Sequence, residues 1–268
     1  MWGNDFFRQE RIIMKRYIYI ILLCLTAFNC FALIDMEKQL RRVEKKRNGE
    51  VIINYIPNIK AQRDYCVPAS VEMILRYYGA RIKQKKLGKL FVSSHHGGTN
   101  SANMMRGFED KDLQDFECKM LYAISTAELQ RLLDAYSRHP ELPHAAARKL
   151  RHGMKKHKFV FDLLDLKIAG KVSPEARPEL YKKFPEILKS LIDNGYPLLW
   201  SVAMNLDPHD RTTGGHMRVI CGYKMDGEKI TEVIFLDPWG SKRKFKRVTF
   251  DVAAAMTTQI AVIIPRNR

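Results

Sequence analysis

One dipeptide constrains this chain more than any other feature: Asp226-Gly227, set between the apolar runs His216–Met225 and Ile230–Asp237. Asp-Gly between two such runs is the strongest short-range sign of a two-residue β-hairpin. Further strand-like runs surround it at Leu198–Met204, Phe245–Phe250 and Gln259–Ile264. The C-terminal third is therefore expected to form an antiparallel sheet. The middle of the chain reads as helical at Gln84–Phe91, Ala102–Glu109, Thr126–Tyr136, Ala145–Lys156 and Pro178–Asp193, with a strand near Phe116–Ala123. A helical half followed by antiparallel strands is an α+β arrangement. No linker stands out, so residues 33–268 are read as one domain.

Of the 268 residues, 46% are apolar and 28% charged. That balance excludes a disordered chain, and five cysteines are too few for a disulfide scaffold. The N-terminus has a different logic. Met14-Lys15-Arg16 precedes a nearly unbroken apolar run, Tyr17–Phe28, followed by Asn29-Cys30-Phe31-Ala32. A short basic segment, an apolar core and a small residue at the cut point make an export signal. The run is shorter than the ~20 apolar residues of a spanning helix. Residues 1–32 are therefore expected to be a signal peptide, with Met14 as its working start and cleavage after Ala32, giving a periplasmic or secreted product. The mature chain then keeps Cys66, Cys118 and Cys221. Three is an odd number in an oxidising compartment, so at least one thiol stays unpaired.

Ahead of the helical half, Asp35–Asn48 is a charged, helix-compatible lead-in and Val51–Ile56 reads as a strand stopped by Pro57. The most persuasive helix follows at Pro68–Tyr78. Val71, Ile74, Leu75 and Tyr78 share one face, Pro68 suits the first turn, and Gly79 suits the C-terminal cap. Cys66 stands two residues before Pro68. Unpaired N–H groups and the macrodipole at a helix head favour a thiolate there, and the thiolate is the nucleophile. A lone free cysteine is more often a small buried hydrophobe, so the neighbouring residues matter.

Gln62-Arg63-Asp64-Tyr65-Cys66-Val67-Pro68-Ala69-Ser70, with Met73–Gly79 after it, resembles the nucleophile region of bacteriocin-processing cysteine peptidases (cysteine peptidase family 39), a branch of the papain-like fold. Thr213–Tyr223 resembles that family's histidine strand, and Phe235-Leu236-Asp237-Pro238-Trp239-Gly240 its Asp-Pro segment. The resemblance implies a papain-like fold and a triad of Cys66, His216 and Asp237. It also implies that Gln62 joins the Cys66 N–H in an oxyanion hole. Two positions depart from the family: Val67 stands where glycine is usual, and Gln62 lies closer to the cysteine than the family's glutamine. Hairpin geometry supports the His–Asp pairing independently. With Asp226-Gly227 as the turn, His216 lies directly opposite Asp237, Cβ atoms roughly 4.5–5.5 Å apart. A four-residue loop makes them diagonal neighbours on the same face. Cys221 lies an odd number of residues from His216 and points to the other face. Cys118 is expected to be buried or paired with Cys221.

Other features read as bland. Adjacent His95 and His96 point apart, and no further ligand follows at metal spacing, so no metal or other cofactor is expected. Gly97–Phe108 resembles a loop and helix between the family's two halves, and is read as a cleft wall. His139, His144, His152 and His157 lie in a basic, solvated region. The net charge of +17, with clusters at Lys83–Lys89 and Lys242–Arg247, invites a nucleic-acid reading. No nucleic-acid motif is present, and export argues against that partner. Contact with anionic envelope polymers fits better, and solubility alone better still.

The expected function is an exported thiol hydrolase acting on a peptide or related amide bond of a peptide or protein substrate. An acyl transferase using the same triad is a close variant. A non-catalytic envelope-associated binding domain is the alternative from a different class. The transporter segments fused to well-known family members have no counterpart here, so leader processing is not implied.

Overall fold

The computed structural model describes residues 39–93, 98–144, 148, 150, 160–208, 214–240 and 245–266. The expected signal segment, His95-His96, and most of the helix expected at Ala145–Lys156 lie outside these residues, as does the core of the basic cluster at Lys242–Lys244. In chain order the strands are β1 (Val43–Lys45), β2 (Glu50–Ile53), β3 (Phe116–Ala123), β4 (Leu198–Ala203), β5 (Gly215–Asp226), β6 (Lys229–Leu236), β7 (Lys246–Thr249) and β8 (Thr257–Pro265). The helices are α1 (Cys66–Tyr77), α2 (Gln84–Leu90), α3 (Ser101–Gly107), α4 (Thr126–Ser137), α5 (Leu166–Ala176), α6 (Pro178–Ile192) and α7 (Phe250–Met256). One antiparallel sheet of eight strands runs β1-β2-β5-β4-β8-β3, with β6 also paired to β5 and β7 to β6. The fold class is α+β, as the residue pattern implied. No helix among the described residues is long and apolar enough to cross a membrane.

Helix α1 packs its apolar stripe on β5. Val71, Ile74 and Leu75 are fully buried, each contributing roughly 1.5–3 kcal/mol of transfer free energy. Gly79, in the left-handed region at φ +95°, ends the helix, its N–H donating to the Arg76 carbonyl at 3.0 Å. The helix starts at Cys66, two residues earlier than the expected Pro68. Pro68 lacks only an N–H that a first turn leaves unpaired anyway.

Three further points differ from the expectations. The Asp35–Asn48 lead-in contains strand β1, its Glu44 paired with Ile52 of β2. Helix α5 was not expected, its pattern being interrupted by Gly170 and Pro174, and neither was α7, which follows a capping threonine, Thr249. Cys118 and Cys221 are both buried and unpaired, the first of the two alternatives expected for Cys118. The β5–β6 turn is Gly227-Glu228, not Asp226-Gly227, because Asp226 pairs with Lys229. Gly227 takes φ +57° while neither neighbour is left-handed. That is the demand of a type II′ turn, which places glycine at the first central position.

Candidate active site

Cys66 opens α1, and two bonds lock this helix and its approach to the strands carrying the other two residues. The Ser70 hydroxyl, one turn after Cys66, donates to the Met217 carbonyl at 3.1 Å. The Ala61 N–H donates to the Pro238 carbonyl at 2.8 Å, fixing the segment leading to Cys66 against the one that follows Asp237. Cys66 and His216 line the same cavity, of about 640 Å³. Among the described cysteines only Cys66 is partly exposed.

His216 and Asp237 are buried and bonded. His216 Nε2 lies 2.9 Å from Asp237 Oδ1, while His216 Nδ1 has no hydrogen-bond partner among the described residues. The nearest ladder pair is Val219 with Leu236. Continuing that register sets Arg218 across from Asp237 and His216 across from Trp239. His216 and Asp237 are therefore diagonal neighbours rather than direct partners, reached through a displaced two-residue turn and not through a four-residue loop. The Trp239 ring stacks on the His216 ring with centroids 3.7 Å apart. The main-chain N–H of Trp239 donates to Asp237 Oδ1 at 2.9 Å.

The electrostatics of the site oppose charge on both Cys66 and His216. Burial pushes the Cys66 thiol up, against the main-chain N–H groups of Met217, Val67 and Cys66, which pull it down. The helix-head effect is present, but desolvation outweighs it. Burial also pushes the His216 imidazolium down, with Asp237 acting in the opposite sense. Asp237 is held far below the usual carboxylate range: the His216, Arg218 and Trp239 contacts outweigh its own burial. A neutral thiol beside a neutral imidazole is the resting state these directions favour.

Gln62 is not brought to the cavity. It is exposed, and its N–H donates to Gln84 Oε1 at 2.9 Å. Arg218 and Lys246 were missed as parts of the site. Lys246 Nζ lies 3.0 Å from Asp237 Oδ2 and Arg218 Nη2 lies 3.2 Å from it. In the sequence Lys246 is one residue of the basic cluster Lys242–Arg247, with nothing to single it out. Arg218 carried a readable signal, a cation within the apolar run Met217–Cys221. The cavity's far wall includes Met104, Ile124, Leu129 and Phe161, and Ser201, Thr258 and Gln259 also line it. Among the described residues no cluster of His, Cys, Asp and Glu could hold a metal ion.

Residues 172–260 match the model of the Peptidase_C39 like family. The match spans His216 and Asp237 and leaves Cys66 outside it. It agrees with the family resemblance seen in the histidine strand and the Asp-Pro segment. No curated protein matches the chain. Two solved structures are similar to it in part. One is the peptidase domain of Streptococcus ComA, a bi-functional ABC transporter involved in a quorum sensing pathway, at 14% identity and TM-score 0.41, over 79% of this chain and 100% of that one. The other is a putative C39-like peptidase from Bacillus anthracis, at 13% identity and TM-score 0.44, over 82% of this chain and 99% of that one.

Proposed function

We propose that the protein is an exported cysteine peptidase, a thiol hydrolase that cleaves a peptide or related amide bond. The observation that carries this reading is the arrangement of His216. Its Nε2 is committed to Asp237 Oδ1 at 2.9 Å, and its Nδ1 is left without a partner beside the cavity that Cys66 lines. An imidazole held on one nitrogen and open on the other is what a base for a thiol requires.

In this reading His216 Nδ1 takes the proton of Cys66 as the sulfur attacks the carbonyl carbon. Asp237 fixes the tautomer with the proton on Nε2 and stabilises the imidazolium that forms. The main-chain N–H of Cys66 holds the developing oxyanion. Gln62 adds to it only by turning in from the surface. The imidazolium then gives its proton to the leaving amine, and water releases the acyl group from sulfur.

The test is capture of Cys66 by a library of peptides carrying an electrophile at the scissile position. Wild type is expected to be labelled at Cys66 by a subset of sequences. H216A is expected to lose that labelling, and C66A to show none. Labelling no faster than that of free cysteine, with no sequence preference, would overturn the reading. A non-catalytic binding domain then stands, favoured by the exposure of Gln62 and by the burial that keeps Cys66 protonated.

A further inference from the structure

Arg218 is fully buried. A guanidinium in such a place persists only with its charge compensated. Its Nη2 bridges two carboxylates, bonding Asp207 Oδ2 and lying 3.2 Å from Asp237 Oδ2. Its guanidinium carbon lies 4.7 Å from the Phe235 ring centre and 6.0 Å from that of Trp200, so the group rests against a pair of aromatic rings as well as being paired. Lys246 reaches the same Asp237 Oδ2 from β7 at 3.0 Å. The two oxygens of Asp237 thus have separate partners. Oδ2 receives two cations, and Oδ1 receives His216 Nε2 and the Trp239 N–H.

This division has a chemical consequence. A buried carboxylate facing only an imidazole stabilises the imidazolium strongly. A carboxylate already neutralised from its far side still orients the ring through Oδ1 but holds an extra proton on it far less. We propose that Arg218, braced by Asp207, and Lys246 form a cationic clamp on Asp237 that fixes its orientation and keeps His216 neutral in the resting enzyme. Both are positioning residues acting through Asp237, and neither lines the cavity. Among the described residues, the charged and titratable groups around the His216–Asp237 pair are Cys66 from α1, Arg218 from β5, Lys246 from β7 and, behind Arg218, Asp207. Of the influences on His216, burial and the two cations disfavour its proton, and Asp237 favours it.

The inference rests on the thiol-hydrolase reading for its meaning in catalysis. Its test does not, because it reads protonation and not turnover. The imidazole of His216 is titrated by NMR in wild type, K246M, R218M and R218K. Removing the Arg218 charge is expected to raise the His216 midpoint by about one pH unit, the low end of what a nearby charge does. K246M, at a half-exposed and screened position, is expected to raise it by about half a unit. R218K keeps the charge and is expected to titrate like wild type. Unchanged midpoints in R218M and K246M would overturn the clamp, as would R218K shifting as far as R218M. K246M decides alone where R218M does not fold, because Lys246 reaches the surface.

Discussion

The hydroxyl of Ser70 and the carbonyl of Met217, residues 147 apart in sequence, meet at 3.1 Å in a fully buried contact one helical turn below Cys66 and one residue beyond His216. This bond aligns the helix that carries Cys66 with the strand that carries His216. Replacing Ser70 by alanine leaves a buried carbonyl unpaired and is expected to cost about 1–2 kcal/mol. The loss is read as a lower midpoint of urea unfolding, accompanied by slower capture of Cys66. A variant with unchanged stability and capture rate would show that the bond does not align the site.

The pH profile follows from the two shifts. The working form holds one proton between sulfur and imidazole. As pH falls through the depressed midpoint of His216, the ring protonates and the base is lost. As pH rises through the raised midpoint of Cys66, the pair loses its shared proton. Activity is therefore expected to hold from below the ordinary histidine value of 6.5 to above the ordinary cysteine value of 9.0. A narrow bell inside those limits would contradict the directions assigned to both groups.

The position of Gln62 separates two sources of oxyanion stabilisation. Loss of a true oxyanion donor lowers kcat by about 10²–10³-fold. Because Gln62 is exposed and outside the cavity lining, Q62A is expected to retain turnover within a few-fold of wild type. A loss of a hundredfold or more would mean that the side chain turns inward when substrate binds.

Trp239 is 42% exposed, yet its ring covers that of His216. W239A is expected to cost about 1 kcal/mol of stability through the lost ring contact. It should also admit water to the Nε2–Oδ1 bond. The checks are thermal unfolding and exchange of the Nε2 proton, which should become much faster. Protection equal to wild type would assign the shielding elsewhere.

The N-terminal reading is tested by mass. If the signal works as proposed, the mature protein is expected to begin at Leu33, after cleavage at Ala32. Retention of residues 1–32, or an added lipid mass at Cys30, would replace the cleaved signal with an anchor.

The sequence announced much of this arrangement, and the reasons for the rest are physical. Helix α1 is legible because its apolar spacing keeps one period over a dozen residues, and strand β3 because Phe116, Cys118 and Met120 alternate up to the irregularity at Leu121. The bounds of α1 slipped because Pro68 looks like a start and is tolerated just as well inside the first turn. Strand β1 was hidden by its brevity and its charged residues, which suit an edge. The partnership of His216 with Asp237 was visible from strand parity alone, since any even displacement keeps both on one face. Their diagonal offset was not, because it depends on which residue of the turn becomes left-handed. Arg218 shows the opposite failure. A cation inside an apolar strand is in plain view, but the carboxylates that hold it, Asp207 and Asp237, come from segments that only the fold brings to it.

The long hairpin that carries the site contains two irregularities of opposite sense. Thr231 is an extra residue on β6 and Cys221 an extra residue on β5, so the register slips once and then slips back before it reaches Val219 and Leu236. Each slip alone would turn every later side chain to the other face. Together they act as a self-cancelling pair, which makes the tip of the hairpin forgiving and its middle intolerant. Deleting Thr231 would leave the later pairs as they are, whereas a hairpin that kept Thr231 but drew Cys221 into the ladder would set Asp237 across from Val219, with its carboxylate facing away from the imidazole.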